Sequence, residues 1–219
     1  METGDTAAIF HSLDTPSVSD ALDRLGLVGQ CLGIAPLESY VGTIAGPAFT
    51  VRYAPAASPP GTVGDFIDDV PAGSVVVIDN GGRADCTVWG DIMTQFSAAR
   101  GIAATVIDGV CRDVGVALRV GYPLFTRGRF MRTGKDRVQV EAVGDAVAIG
   151  GARVSAGDIV VADVNGVVVV PRDRAAEIAA LAQSIEAAEA AIRERIADGA
   201  SLASARQALG YHDLQKRAR

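Results

Sequence analysis

The chain has 219 residues, of which 49% are hydrophobic and 21% charged, and its formal net charge at pH 7 is −6. This composition is typical of one folded globular domain with a full core, and the acidic balance argues against nucleic acid as the main partner. Because we find neither a leader pattern nor an apolar run long enough to span a membrane, we expect a cytoplasmic protein that does not bind membranes.

The cysteine and histidine positions limit the kind of metal site that the chain can form. Cys31, Cys86 and Cys111 show no close pairing and are odd in number, so we expect reduced thiols rather than disulfides. His11 and His212 complete the small set of soft ligands, and their spacing does not match a zinc site. A metal, if bound, should be a hard ion held by oxygen atoms.

The amino-terminal part of the chain predicts one helix and one strand before the central region. Thr15 is a plausible N-cap, Pro16 suits the first helical position, and Gly26 can end the helix. The alternating pattern of residues 46–55 predicts a strand with one buried face, and a short helix is predicted over 63–70.

The central region predicts strands and helices in strict alternation. Strands are predicted at 74–79, 102–108 and 122–128, and helices at 89–100 and 109–121. This alternation is typical of right-handed parallel crossovers, in which active groups lie at the carboxyl ends of the strands.

Two local details of this region are also predicted. Residues 80–82, Asn-Gly-Gly, should form a turn after the first of the three strands. The helix that follows should bury Ile92, Phe96 and Ala99, which lie at helical spacing.

The carboxyl-terminal part predicts β structure followed by helices. After Gly134 the pattern is mostly that of strands, and Asn165-Gly166 is a strong hairpin signal. A long Ala-rich helix is predicted over 173–197 and a shorter one from Ser201. We therefore predict a single layered α/β domain over 1–219 with flanking helices at both ends.

Arg112 and Asp113 follow a predicted buried strand, at the edge where parallel sheets carry their sites. An Arg here presents a fixed fork of donors to a carboxylate, and an adjacent Asp suits a magnesium-like ion that keeps several waters. Together the two side chains are suited to an α-keto acid. The alternative is a surface ion pair at a helix start, with Asp113 near the positive helix end.

The turn Gly90-Asp91-Ile92 also has two interpretations. Backbone N–H groups at a helix start form an anion pocket, and Gly90 lets a ligand approach the backbone closely. Alternatively, Gly90 only permits the turn and Asp91 caps the helix.

Four sequence blocks resemble the RraA-like family in the same order. They are TPSVSDALDRLG, GPAFTVR, WGDIMTQFSAARGIAATVIDGVCRDV and GDIVVADVNGVVVVP, which together extend from about Thr15 to Pro171. The resemblance implies a phosphohistidine-domain-like (swivelling β/β/α) fold over a core of about 15–171, with a helical extension at 172–219. It also implies trimers or hexamers with active sites between subunits.

The family includes metal-dependent aldolases for 4-hydroxy-4-methyl-2-oxoglutarate and 4-carboxy-4-hydroxy-2-oxoadipate. The resemblance therefore implies a class II (metal-dependent) carbon–carbon lyase that releases pyruvate, often with oxaloacetate decarboxylase activity. Carried over, Arg112 binds the 2-oxo acid substrate and stabilises the pyruvate enolate, and Asp113 ligates Mg²⁺ or Mn²⁺. Asp91 holds a metal-bound water, and the amides of Gly90 to Ile92 receive substrate oxygens. Ile92 stands where Leu is usual, which matters little because the backbone N–H is the working group.

The family aldolases also bring an acidic residue from a neighbouring subunit's carboxyl-terminal helix. Glu189 is the best match in this chain and Glu186 the second, although Glu residues on an Ala-rich helix commonly form a solvated face. Lys135 and Lys216, the two lysines, lie outside the motif, which fits a mechanism without a Schiff base.

Other functions within the family remain open from sequence. RraA proteins proper bind and inhibit an RNA-degrading endonuclease, and they are shorter, so the residues after Pro171 favour an enzyme. A third alternative is the same enolate chemistry on a sugar acid. Asn165 stands where family members often have an acidic residue, which we interpret as favouring the hairpin turn, and the carboxyl-terminal tail departs from the form of the pyruvate aldolases, so the exact substrate stays open. Methyltransferase activity, implied by the names of some members, is not expected because residues 80–90 lack the glycine-rich loop context.

Overall fold

The computed structural model describes residues 3–38, 40 and 42–210. His212 and Lys216, considered above as a metal ligand and a Schiff-base lysine, lie outside the described residues. The helices are α1 (Thr3–Phe10), α2 (Thr15–Arg24), α3 (Asp91–Ala99), α4 (Val114–Val120), α5 (Ala175–Ala197) and α6 (Leu202–Ala208). Two short 3₁₀ turns cover Asp65–Asp69 and Arg172–Arg174.

Ten strands make up the β structure of the described residues. They are β1 (Ala35–Pro36), β2 (Ile44–Pro55), β3 (Val75–Thr87), β4 (Ala104–Cys111), β5 (Leu124–Arg129), β6 (Val138–Val143), β7 (Val147–Ile149), β8 (Ala152–Val154), β9 (Ile159–Asp163) and β10 (Gly166–Val170).

Eight of these strands form one mixed sheet. Its order is β1-β5-β4-β3-β2-β9-β10, with β6 also paired to β2, while β7 and β8 form a separate hairpin. The pairs β2–β3, β3–β4 and β4–β5 are parallel, and β1, β6, β9 and β10 pair antiparallel. The predicted α/β class and the crossovers β3-α3-β4 and β4-α4-β5 are confirmed. The phosphohistidine-domain-like classification stays a prediction.

Helices cover one part of this sheet and leave the carboxyl ends of the parallel strands accessible. Apolar side chains of α1, α2 and α5 form a cluster against β9 and β10, with Phe10, Leu22 and Ile178 fully buried. A second cluster, around Trp89 and Ile107, packs α3 and α4 against β3 and β4. Among the described residues, no helix has the length and apolar character needed to cross a membrane.

The start of α2 differs by one residue from the prediction. Asp14, not Thr15, is the N-cap, because its side chain accepts a 2.8 Å hydrogen bond from the Ser17 amide. Thr15 is instead the first helical residue, and its hydroxyl donates 2.7 Å to the buried carboxylate of Asp163. The sequence pattern also missed α1, which buries Ala7 and Phe10.

The prediction that a turn at residues 80–82 ends the strand is wrong, because β3 continues through these residues to Thr87. Gly81 and Gly82 have φ values of 61° and 69°, a left-handed conformation that glycine adopts without strain. They produce a bulge, seen as shifts in the β3–β4 register between Asp79 and Arg83 and again before Thr87. The strand therefore reaches the residues just before α3.

The predicted inner face of α3 is wrong for two of its three residues, since only Phe96 is partly buried. Ile92 is 79% exposed and Ala99 is exposed, whereas Thr94 and Ser97 are buried. The Trp89 indole N–H donates 2.9 Å to Thr94 Oγ1, which ties this polar face of the helix to the core. Ile92 is consequently turned away from the core and toward a cavity.

The carboxyl-terminal elements follow the prediction closely. β9 and β10 form the expected hairpin with Asp163 opposite Gly166, so its two loop residues are Val164 and Asn165. The Asn165 amide donates 2.7 Å to Asp163 Oδ1, which closes the turn. The long helix begins at Ala175 after a 3₁₀ turn.

Candidate functional site

The ends of β3 and β4 bring the two predicted polar turns together. β4 is buried along its whole length and ends at Cys111, and the Arg112 amide then donates 3.0 Å to the carbonyl of Trp89. Both turns precede helices on the same side of the sheet, α3 after Gly90 and α4 after Asp113. The predicted convergence of residues 90–92 and 112–113 at one sheet edge is therefore seen in the structure.

Gly90 allows this approach to be close. A Cβ on Gly90 would lie 2.9 Å from Asp113 Oδ2 and 3.3 Å from Arg112 Nε. Its backbone is extended, with φ −145° and ψ −163°, so any residue could adopt its conformation. Space rather than backbone geometry limits this position, because a Cβ would displace the Asp113 carboxylate.

Asp113 has an unusual backbone for a residue other than glycine. Its φ is 55° and its ψ is 32°, in the left-handed region that Asp tolerates better than most residues. It occupies the N-cap position of α4, but its side chain makes no capping hydrogen bond there. The carboxylate instead accepts a long hydrogen bond of 3.4 Å from the Asp91 amide, 22 residues earlier. Helix capping of α4 therefore does not explain why position 113 is an aspartate.

Arg112 and Asp113 form a loose ion pair with exposed polar groups. The distance from Arg112 Nε to Asp113 Oδ2 is 3.4 Å, and each side chain is 40% exposed. Such a pair contributes little to stability. Both side chains can therefore bind a ligand without a large loss of folding free energy.

The amides at the start of α3 already contact carboxylates. The Ile92 amide donates 2.9 Å to Asp91 Oδ1, and the Asp91 amide contacts Asp113 as described. The helix start thus attracts negative charge, as its N–H groups and dipole predict. A substrate oxygen that binds these amides would replace the long contact to Asp113 more easily than the contact to Asp91.

A cavity of about 400 Å³ lies between these turns and the 3₁₀ turn Asp65–Asp69, and we call it the Arg112 cavity. Its charged and hydroxyl side chains are Asp65, Asp68, Thr87, Asp91, Arg112 and Thr133. Asp65, Asp68, Thr87 and Thr133 were not among the site residues that the sequence predicted. The run Asp-Phe-Ile-Asp-Asp was visible, but only the tertiary structure shows that it faces this edge.

Trp89 and Cys111 are buried residues that support the site and have no role in its chemistry. Trp89 is buried and its ring stacks on Tyr122 with centroids 6.2 Å apart. Cys111 is buried, and burial raises the pKa of its thiol to about 11. The thiol is therefore protonated near neutral pH and unsuited to nucleophilic attack. All three cysteines are free.

The residues fit a hard metal ion that keeps most of its water shell. Among the described residues, no group of three or more His, Cys, Asp or Glu side chains could hold a metal. Mg²⁺ commonly takes one or two protein carboxylates and fills its other positions with water and substrate oxygens. Asp113, half-exposed and free of a capping role, fits that pattern.

Glu186 and Glu189 are not brought into the Arg112 cavity within one chain. Neither side chain lines it, and Glu189 contacts Arg193 across one helical turn at 3.4 Å. Their assignment as an acid supplied across subunits stays a prediction.

Comparison with known proteins gives a family match and several relatives. The model of the RraA-like family, described as Aldolase/RraA, matches residues 15–169. Protein DlpA of Legionella pneumophila is 40% identical over 202 residues, which cover 90% of this chain but only 32% of DlpA. A Halalkalibacterium halodurans protein, provisionally named 4-hydroxy-4-methyl-2-oxoglutarate aldolase, is 30% identical, with 86% of this chain and 87% of that protein covered.

Two solved structures are similar in fold over most of the chain. An uncharacterized protein from Pseudomonas syringae pv. tomato superimposes with a TM-score of 0.86 at 46% identity, covering 93% of this chain and 97% of that one. Streptomyces coelicolor RraAS2, described as an unusual member of the RNase ES inhibitor RraA protein family, gives a TM-score of 0.78 at 27% identity. That alignment covers 85% of this chain and 94% of RraAS2.

Proposed function

We propose that this chain, which belongs to the RraA-like family, is a divalent-metal-dependent carbon–carbon lyase. Its substrate would be a 4-hydroxy-2-oxo diacid of the 4-hydroxy-4-methyl-2-oxoglutarate type, and its product pyruvate. The observation that carries the proposal is the contact of Asp113 with both Arg112 and the start of α3, beside the cavity that Arg112 and Asp91 line. The provisional name of the Halalkalibacterium halodurans relative supports the choice of substrate.

Arg112 would bind the 2-oxo acid end of the substrate. Arg112 lines the Arg112 cavity, and among the described residues its guanidinium forms an ion pair only with Asp113, at 3.4 Å. A guanidinium pairs well with a carboxylate, and it stabilises negative charge that develops on a nearby oxygen. The amides of residues 90–92 add partial positive charge from the helix start.

Asp113 would hold Mg²⁺ or Mn²⁺ together with water molecules. When bound, such an ion polarises the 2-oxo group and lowers the free energy of the enolate. Asp113 would also orient Arg112, since the two side chains are in contact.

The cleavage requires removal of the proton from the 4-hydroxyl group. Asp91 lies on the first turn of α3 and lines the Arg112 cavity, where it would hold the water that accepts this proton. When the O–H bond of the 4-hydroxyl group breaks, its proton passes to this water and C4 becomes a carbonyl carbon. The C3–C4 bond breaks at the same time, and its electron pair forms the enolate. Protonation of C3 then completes pyruvate. Decarboxylation of oxaloacetate would leave the same enolate.

The proposal is tested by measuring pyruvate release from 4-hydroxy-4-methyl-2-oxoglutarate and from oxaloacetate. We expect release with Mg²⁺, loss with EDTA, and a decrease in kcat/KM of at least about 100-fold for Arg112→Ala and Asp113→Ala. Circular dichroism of both variants controls for folding. A folded, Mg²⁺-supplied protein that releases pyruvate from neither compound would contradict the proposal.

A protein-binding regulatory role is the second candidate. It is favoured by the similarity to RraAS2, which spans most of both chains. Such a role would depend on a surface and not on Arg112, so inhibition of an RNA-degrading endonuclease by the Arg112→Ala variant would separate it from catalysis.

A further inference from the structure

A second cavity lies on the other side of Arg112 and has a different charge. It has a volume of about 250 Å³, and its lining includes Arg112, Asp113, Arg129, Phe130 and Met131. We call it the Arg129 cavity. Arg112 lines both cavities, so the Arg129 cavity lies directly beside the side chain proposed to bind the 2-oxo acid.

The sheet register places Arg129 beside the site. Arg129 is the last residue of β5, and its Cα partner on β4 is Cys111, the residue before Arg112. The next amide, of Phe130, donates 2.9 Å to the Cys111 carbonyl and so keeps the end of β5 against the end of β4. The location of Arg129 is therefore determined by backbone pairing and not by a mobile loop.

Arg129 differs from neighbouring arginines in lacking an acidic partner. Arg127, two residues earlier, is paired with the buried Asp108, and Arg83 is paired with Asp85 at 2.8 Å. In the part of the chain that the structure describes, no carboxylate forms an ion pair with Arg129. Its guanidinium is available for a ligand.

The two cavities have opposite charge. Three aspartates, Asp65, Asp68 and Asp91, line the Arg112 cavity with Arg112 as the cation. In the Arg129 cavity two guanidinium groups stand against the carboxylate of Asp113. A cavity with excess positive charge, in a chain whose net charge is −6, is suited to an anionic group.

We propose that Arg129 binds the distal carboxylate of a dicarboxylate 2-oxo acid while Arg112 binds the 2-oxo end. Met131, 74% exposed, and Phe130 offer apolar surface to the carbon atoms between the two ends. Arg129 is then the residue that selects diacids over monoacids. This inference rests on the proposed function for the class of substrate, but it makes a claim about binding that can be measured without turnover.

The experiment compares 2-oxoglutarate, a diacid, with pyruvate, a monoacid, by isothermal titration calorimetry in the presence of Mg²⁺. We expect the native chain to bind 2-oxoglutarate at least about 10-fold more tightly, as a charge-assisted hydrogen bond allows. Arg129→Gln should remove this preference and leave the affinity for pyruvate unchanged. Arg119→Gln, which removes the same charge from α4 and lines neither cavity, should keep the preference.

Each other outcome overturns the inference. A native chain that binds neither compound, or both equally, has no distal carboxylate site, and an Arg129→Gln variant that keeps the preference places that site elsewhere. Pyruvate release from 4-hydroxy-4-methyl-2-oxoglutarate is measured separately. If the binding preference depends on Arg129 but pyruvate is not released, the lyase proposal fails and the diacid site stands.

Discussion

Gly90 lies against both members of the Arg112–Asp113 pair, and this contact makes a sharp test possible. In Gly90→Ala the new Cβ would be 2.9 Å from Asp113 Oδ2, so the carboxylate must move. We expect kcat/KM for pyruvate release to fall about 10- to 100-fold, because displacement of a catalytic group by a fraction of an ångström is costly. The melting temperature should change little, since the contact lies at an exposed ion pair.

The matched control is Gly115→Ala, on α4. A Cβ there would meet only Arg119 Nη1 at 3.6 Å, an ordinary contact. Its activity should equal that of the native chain, and its stability should rise slightly because Ala is the better helix former. Full activity of Gly90→Ala would mean that the Arg112–Asp113 geometry does not matter for the reaction.

Among elements, the β7–β8 hairpin is held in part by one buried carboxylate, that of Asp108. Asp108 on β4 pairs with Arg127 on β5, and its other oxygen accepts 2.7 Å from the amide of Gly150, the residue after β7. Asp108→Ala should lower the free energy of unfolding by about 2–3 kcal/mol, because it leaves a part-buried guanidinium and an amide unpaired. Urea unfolding measures this loss.

Asp145→Ala is the control for Asp108→Ala. The contact between Arg52 and Asp145 at 3.3 Å is largely exposed, so its loss should change the free energy of unfolding by no more than about 0.5 kcal/mol. Equal stability of the two variants would show that the contacts of Asp108 do not stabilise the fold.

The elements that were predictable from sequence are those with strong local patterns. The hairpin near Asn165 and the Ala-rich α5 were placed within two residues, because apolar runs and turn residues act over a few positions. The strand predicted over 102–108 was also found, but β4 extends to Cys111, where a helix had been predicted to begin at 109. The continuation of β3 through Gly81 and Gly82 was not predictable in this way. Two consecutive glycines are compatible with either a turn or a bulge, and the pairing of β3 with β4 selects the bulge here.

The prediction of which α3 residues are buried failed for a related reason. Helical spacing suggested Ile92 as a core residue, but the Trp89–Thr94 hydrogen bond turns a polar face inward. This exception to the amphipathic helix pattern lies at the proposed site, and functional sites are where sequence rules for local structure most often fail.

At the scale of the molecule, sequence order predicted that the two polar turns meet, because parallel strands end at one edge. It could not predict the contribution of Asp65, Asp68 and Thr133, since these come from segments distant in sequence. It also could not predict that the α3 amides already contact Asp91 and Asp113, which depends on side-chain packing.

We propose above that these turns form one metal-dependent site that stabilises the enolate of pyruvate. The most direct measurement is exchange of the pyruvate methyl protons with deuterium in D₂O, followed by NMR, because it requires no knowledge of the complete substrate. We predict exchange that is accelerated by the protein with Mg²⁺ and falls to the background rate with EDTA or in Arg112→Ala. Exchange at the background rate with the native, Mg²⁺-supplied chain would contradict the claim.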